Sequence, residues 1–300
     1  MSVFVAGFVV ALVTAWLVTP VLARLSPRAW LDVPTASERA RKPQLGGVPA
    51  VGGAAVLAAI GATVLVVRGF ELPPVFVVRD AVGTGAALAT LGLAALVGTF
   101  DDLRGLPPLA KVAAQLVVVL PIASVEQPEL ALGALVAMNL ANTWDHHDGV
   151  LAGLGCAGFL GAGSGLWAGA LAGFLPHNLN ASKQAGAAPT AYLGDAGSHL
   201  VGAALVLVPG AAWALVLPAL DLARLSIVRY RAGSRPWVGD RRHLAHLLAR
   251  RVESRGAIAA ITTLIALPAI AGGPEGGAPA GLGVVTTLLL YVAALRFARE

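Results

Sequence analysis

The apolar residues of this chain fall into blocks long enough to cross a bilayer, and no other feature limits its fold so much. Val3–Ala23, Val48–Val67, Ala81–Thr99 and Ala257–Ala271 contain no charged residue. Runs of about 17–25 apolar residues match the hydrocarbon thickness of a membrane. Charged residues make up 12% of the chain, against about 25% in a typical soluble domain. The first block resembles a signal peptide in length, but no basic stretch precedes it and Arg24 and Arg28 follow it. It therefore reads as a retained first helix. The expectation is an all-α, polytopic transmembrane bundle of about 10–11 helices, forming a single domain over residues 1–300.

Eleven crossings are expected, at 3–23, 48–67, 81–99, 109–124, 129–142, 150–163, 165–178, 197–209, 211–226, 256–272 and 280–297. With the N-terminus outside, all basic residues except Arg68 and Arg79 fall on the inner side. That asymmetry follows the positive-inside rule and accounts for the net charge of +5 without nucleic acid. The spans on either side of Asp148 are short, so they tilt, thin the bilayer or lie within the bundle; a re-entrant pair at 150–178 is the alternative. Both arrangements return the chain to the same side. Glycine and alanine recur in the spans, as small residues do where helices pack closely in lipid. Gly272–Gly281 reads as an outer loop. The single cysteine, Cys156, builds neither a disulfide nor a zinc framework.

Seven of the nine aspartates sit at the expected inner helix ends: Asp101, Asp102, Asp145, Asp148, Asp195, Asp221 and Asp240. Ionisable groups at membrane depth are costly and point to function. Asp101 and Asp102 repel one another unless a cation is near, which a metal or Lys111 supplies. Asn139, Asn142, Asp145 and Asp148 step by three, so a continuing helix would gather two amides and two carboxylates on one face. Such oxygen donors suit a hard cation. In Tyr192–Ser198, Gly194 and Gly197 flank Asp195 closely, and Ser198 is placed to cap a following helix. Asp240-Arg241-Arg242-His243-Leu-Ala-His246 brings cations to the most basic loop, where they suit phosphate oxygens or anionic lipid headgroups.

Taken in order, these motifs resemble the polyprenyl-phosphate N-acetylhexosamine-1-phosphate transferases. The resemblance runs from about Asp32 to His246. It covers Arg41-Lys42 with Pro49 and Gly52-Gly53, Asp101-Asp102 with Lys111 and Gln115, and Asn139…Asn142…Asp145…Asp148-Gly149. It continues through Gly194-Asp195-Ala-Gly197-Ser198 to Pro218-Ala-Leu-Asp221 and Asp240-Arg241-x-His243-Leu-x-His246. The resemblance implies a Mg²⁺-dependent transfer (or Mn²⁺) of a sugar-1-phosphate from a UDP-sugar to polyprenyl phosphate. It assigns Asp101, Asp102, Lys111 and His243 as catalytic and Asn142 and Asp195 as metal-binding. Lys42, Asn139, Asp145, Asp148, Arg241 and His246 become substrate-binding. The spacing of the last histidines is closer to the N-acetylglucosamine branch. A lipid bilayer is the implied setting, the cytoplasmic membrane face the site, and a homodimer one allowed assembly.

Four positions depart from the family pattern: Gln44, Ala50, His146 and Ala245. Other readings use the same residues. A transporter would place its carboxylates near the bilayer midplane, whereas these lie at helix ends. A catalytically silent relative would bind lipid phosphate alone, and the altered histidine positions are the feature in its favour. The CDP-alcohol phosphotransferases also space aspartates closely, but their alanine-arginine step is absent after Asp148-Gly149.

Overall fold

The computed structural model describes residues 3–32, 47–71, 76–179, 188–234 and 241–299. Twelve α-helices occupy them: α1 Val3–Leu25, α2 Gly52–Gly69, α3 Gly83–Arg104, α4 Pro108–Ala123, α5 Pro128–Trp144 and α6 Val150–Gly161. Then come α7 Gly165–Leu179, α8 Gly194–Leu207, α9 Val216–Arg231, α10 Leu244–Leu248, α11 Arg255–Gly272 and α12 Gly277–Phe297. Six helical segments are long and apolar enough to cross a membrane: α1, α2, α3, Ala211–Arg231, α11 and α12. The expected all-α polytopic bundle is borne out. Each expected span matches one helix, and α10 is an extra five-residue turn of helix. A minor departure is a two-residue antiparallel ladder, β1 Leu31–Asp32 against β2 Val48–Pro49, pairing Leu31 with Pro49 and Asp32 with Val48.

Local chemistry sets the helix boundaries. Pro108 and Pro128 open α4 and α5, where a missing N–H costs nothing. Gly105 closes α3 in the left-handed conformation, and its N–H returns to Asp101 O. The Ser254 side chain accepts from Ala257 N at the start of α11. At the far end, Arg79 donates through Nε to Val206 O at 2.8 Å and through its backbone to Leu207 O at 2.9 Å. It thereby satisfies the last carbonyls of α8.

Helix α8 is the axis of the bundle. Every residue from Ala196 to Leu207 is buried, as expected of a helix apolar all round. Helices α2, α3 and α5 pack on it. A Cβ at Gly98 of α3 would overlap Ala196 Cα and Asp195 O, and one at Gly202 would lie 2.6 Å from Ala137 O of α5. Helix α7 lies along α1 in the same direction: Gly165, Gly169 and Gly173 face the backbones of Phe4, Phe8 and Leu12 in turn. The α6–α7 hairpin therefore reaches the level of the first turn of α1. Its helices have 12 and 15 residues and pack inside the bundle. Both are mostly buried.

Close packing at Gly98 yields the first prediction. Gly98→Val forces α3 off α8 and lowers stability by about 1–3 kcal/mol, seen as a lower melting midpoint in detergent. Gly92→Ala on the same helix, where an added Cβ meets nothing within 4 Å, leaves the midpoint equal or higher. Equal behaviour of the two variants would contradict the packing.

Candidate active site

The site begins at the corner between α3 and α4. Leu106 N donates to Asp101 Oδ1 at 2.7 Å, fixing the turn. The turn brings Lys111 back over the end of α3, where its Nζ lies 2.7 Å from Asp101 Oδ2 and 2.9 Å from Asp195 Oδ1. Lys111, one of the two cations considered for the Asp101-Asp102 pair, stands against Asp101. It bridges Asp101 to α8 and leaves Asp102 to another task.

Asp102 caps α8. Its Oδ1 accepts from Asp195 N at 2.8 Å and its Oδ2 from Ala196 N at 3.0 Å. Those are the second and third residues of α8, the donors an N-cap side chain normally satisfies. Here the carboxylate comes from another helix, and its negative charge meets the positive end of the α8 dipole. Ser198 was the expected cap. It lies inside α8, which starts four residues earlier, and its hydroxyl turns to Asp195 O at 3.3 Å. Gly194 makes the approach possible: its φ is +76°, and a Cβ there would sit 2.8 Å from Asp102 Oδ2.

Asn142 of α5 completes this tier, its Nδ2 donating to Asp195 Oδ1 at 2.6 Å. One turn deeper, α4, α5 and α8 form a second tier. Asn139 donates to Gln115 Oε1 at 2.7 Å, and Gln115 Nε2 meets His199 Nε2 at 2.8 Å. Asn139, expected at the substrate, thus has its amide committed within the bundle. Both Gln115 and His199 are fully buried.

The expectation that residues 139, 142, 145 and 148 share one helical face is corrected. Helix α5 ends at Trp144, and the chain turns through 145–149 to Gly149, whose φ is +78°. Gly149 N donates to Asn178 Oδ1 at 2.6 Å, and Asn178 Nδ2 donates to Ala191 O at 3.1 Å. Asn178 therefore locks this turn to the segment leading into α8. The turn places Asp148 beside Arg255 of α11, with Oδ2 3.0 Å from Nη1. Burial raises the Asp148 carboxyl to about 6, and Arg255 acts in the opposite sense. Asp145 is pushed well above the ordinary carboxylate range by burial and by the nearby charges of Asp195, Asp148 and Asp102.

His146 and His147 meet the last motif. His243 precedes α10 and His246 lies within it. The His146 and His243 rings stack with centroids 4.1 Å apart, and His246 lies 4.8 Å from His146 and 5.8 Å from His147. Burial and the surrounding imidazoles push His146 well below the usual histidine range, and burial lowers His147. These two rings are therefore neutral at neutral pH. Arg241 and His246 line, with Ala249 and Arg250, a cavity of about 240 Å³. The segment after β2 is pinned by its backbone to the start of α8, through Tyr192 N to Pro49 O and Gly52 N to Tyr192 O, both 2.9 Å. Lys42 and Asp240 lie outside the described residues.

The structure thus draws Asp101, Asp102, Lys111, Asn142 and Asp195 together. Asp145 and Asp148 adjoin them, and His243 and His246 meet the same turn through His146. Sequence reasoning missed Asn178, His199, Arg224, Arg255 and Tyr291. Arg255 and Tyr291 lie outside every motif, and only their three-dimensional partners reveal them.

Among the described residues no three His, Cys, Asp or Glu side chains form a ready metal cluster. The donor set still fits a hard divalent cation. Asp195 and Asn142 converge, Asp195 Oδ1 receives both Lys111 and Asn142 while Oδ2 receives neither, and Asp145 stands close enough to feel the charge of Asp195. Mg²⁺ is commonly held by one or two carboxylates with substrate phosphates supplying further oxygens.

No family model matches the chain. Curated relatives do. The undecaprenyl-phosphate alpha-N-acetylglucosaminyl 1-phosphate transferase of Escherichia coli (strain K12) is 30% identical over 162 residues, covering 45% of this chain and 44% of the relative. The Yersinia pestis protein of the same name is 33% identical over the same extent. The chain is similar to these sugar-phosphate transferases, as its motifs imply. It spans under half the length of the curated relatives it matches.

The cap on α8 generates a prediction. Asp102→Ala leaves two backbone donors without their acceptor and lowers stability by about 1–2 kcal/mol, read as a thermal midpoint in detergent. Asp102→Asn retains one acceptor oxygen and loses less. An unchanged midpoint for Asp102→Ala would contradict the capping role.

Proposed function

We propose that this protein is a membrane transferase that moves an N-acetylhexosamine-1-phosphate from a UDP-sugar to undecaprenyl phosphate and releases UMP. The supporting observation is the convergence of Asp102, Lys111, Asn142 and Asp195 at one end of an apolar bundle. The motifs and the similar transferases support the same chemistry. Five of the basic residues placed inside by the charge asymmetry, Arg104, Lys111, Arg224, Arg241 and Arg255, also gather at this end. That supports the reading that the site faces the cytoplasm and the N-terminus lies outside. The product would start a lipid-linked cell-wall or surface polysaccharide.

In the reaction an oxygen of the lipid phosphate bonds to the β-phosphorus of the donor, and the bond from that phosphorus to the bridging oxygen breaks. Both reactants are anionic, so positioning and charge neutralisation dominate. Lys111 supplies a fixed ammonium at the phosphates. Asp195 and Asn142, with Asp145 beside them, would hold Mg²⁺, which neutralises the diphosphate and the leaving UMP when bound. Arg241 and His246 line the cavity next to the imidazole cluster, where the donor's sugar and phosphates fit. The apolar bundle keeps this charged chemistry at a surface that a polyprenyl tail, dissolved in lipid, reaches directly.

Two predictions follow from these roles. Asp195→Asn keeps the melting midpoint within a few degrees while UMP release falls by at least about a hundredfold. Retained turnover would remove the metal assignment. Asp148 is in its carboxylate form above about pH 6, so UMP release declines as pH falls through that value. Because Arg255 favours the carboxylate, Arg255→Met moves this acid limb upward by about half a unit or more. Superimposable profiles would show that Asp148 does not govern the limb.

A further inference from the structure

Asp221 is fully buried in the first half of α9, and every lone-pair direction of its carboxylate is taken. Oδ1 receives Arg224 Nη2 at 2.9 Å and the Tyr291 hydroxyl at 2.7 Å. Oδ2 receives His243 Nδ1 at 3.0 Å and Leu244 N at 3.3 Å. Arg224 Nε also donates to the Tyr291 oxygen at 2.7 Å, and Arg224 Nη2 donates to Arg242 O. An ionised carboxylate is acceptor-only, so His243 Nδ1 carries the proton that it shares with Asp221. In the neutral ring this leaves Nε2 as the basic nitrogen. The ring has little freedom: His243 is 5% exposed and lies against His146.

Tyr291 belongs to α12, beyond the stretch that carries the motifs. We infer that Tyr291 and Arg224 are positioning residues, which hold Asp221 so that it fixes the tautomer and orientation of His243 in the transferase site. The logic matches other imidazoles whose second nitrogen is anchored by a carboxylate: the anchor sets which nitrogen is free to meet a ligand. Arg224 adds a second restraint by gripping the carbonyl of the residue before His243. Helix α12 thereby determines the geometry of a loop that carries His243 between the cavity-lining Arg241 and His246. This inference rests on the proposed transfer for its kinetic consequences, but its structural content stands apart from it.

The test is a double-mutant cycle with a second, activity-free readout. Tyr291→Phe removes one hydroxyl and is expected to lower kcat/KM for the UDP-sugar by about tenfold or more, the range for a hydrogen bond to a charged group. In a His243→Ala background the same substitution is expected to cost less than about twofold, because its effect passes through His243. Equal losses in the two backgrounds would overturn the inference. Independently, trypsin under native conditions is expected to cut after Arg242 several times faster in Tyr291→Phe than in the wild type, with cutting after Arg104 unchanged. Unaltered cutting after Arg242 would also overturn it. Should the wild type release no UMP from any donor, the proposed function fails, and the cleavage rates alone decide whether Tyr291 holds this loop.

Discussion

The Lys111 ammonium between Asp101 and Asp195 is the interaction on which the rest of the site depends. Three helices end here, each contributing a group that hydrocarbon would reject alone. A partly buried ion pair with good geometry offsets its desolvation, whereas a lone buried charge does not. Lys111 joins α4 to α3 and α8, and Asp102, freed from Lys111, closes the α8 N-terminus. Asn142 then attaches α5 to the Asp195 carboxylate. The apolar packing along α8 and the polar fastening at its first turn are therefore one construction. Gly98 and Gly194 remove the side chains that would keep α3 from reaching it.

The fold was largely legible in the sequence because hydrophobic length carries it. Uncharged blocks marked the spans, and basic residues marked the loops between them. Boundaries were least legible where capping came from a distant residue. Ser198 has the right chemistry for a cap, yet Asp102 performs it, and no spacing rule connects positions 102 and 195. The three-residue step from Asn139 to Asp148 also misled. Periodicity describes a helix only while the helix lasts, and the turn before Gly149 ends this one. Asn139 and Asn142 thus stay on α5 in successive tiers, while Asp145 and Asp148 move to a loop.

The candidate site residues were legible as motifs, but their division of labour was not. Adjacent aspartates read as an equivalent pair; the structure gives Asp101 to a lysine and Asp102 to a helix end. The histidines read as one loop, and they prove to be half of a four-imidazole cluster shared with His146 and His147. His146 departs from the family pattern, and its ring fills the space against His243. The residues missed altogether, Arg255 and Tyr291 above all, begin or lie on the last two helices and carry no motif. Their significance comes from single contacts, with Asp148 and with Asp221.

These features suit the proposed transferase, whose polar apparatus would sit where an aqueous nucleotide and a lipid phosphate can meet. In the proposed reaction the whole sugar phosphate, rather than the sugar alone, passes to the lipid. The most direct measurement uses a UDP-sugar labelled at its β-phosphorus, incubated with purified protein, undecaprenyl phosphate and Mg²⁺, followed by extraction of the lipid phase. The label is expected in the lipid, with unlabelled UMP in the water. Label recovered only in water-soluble products, as UDP or intact donor, would contradict this transfer.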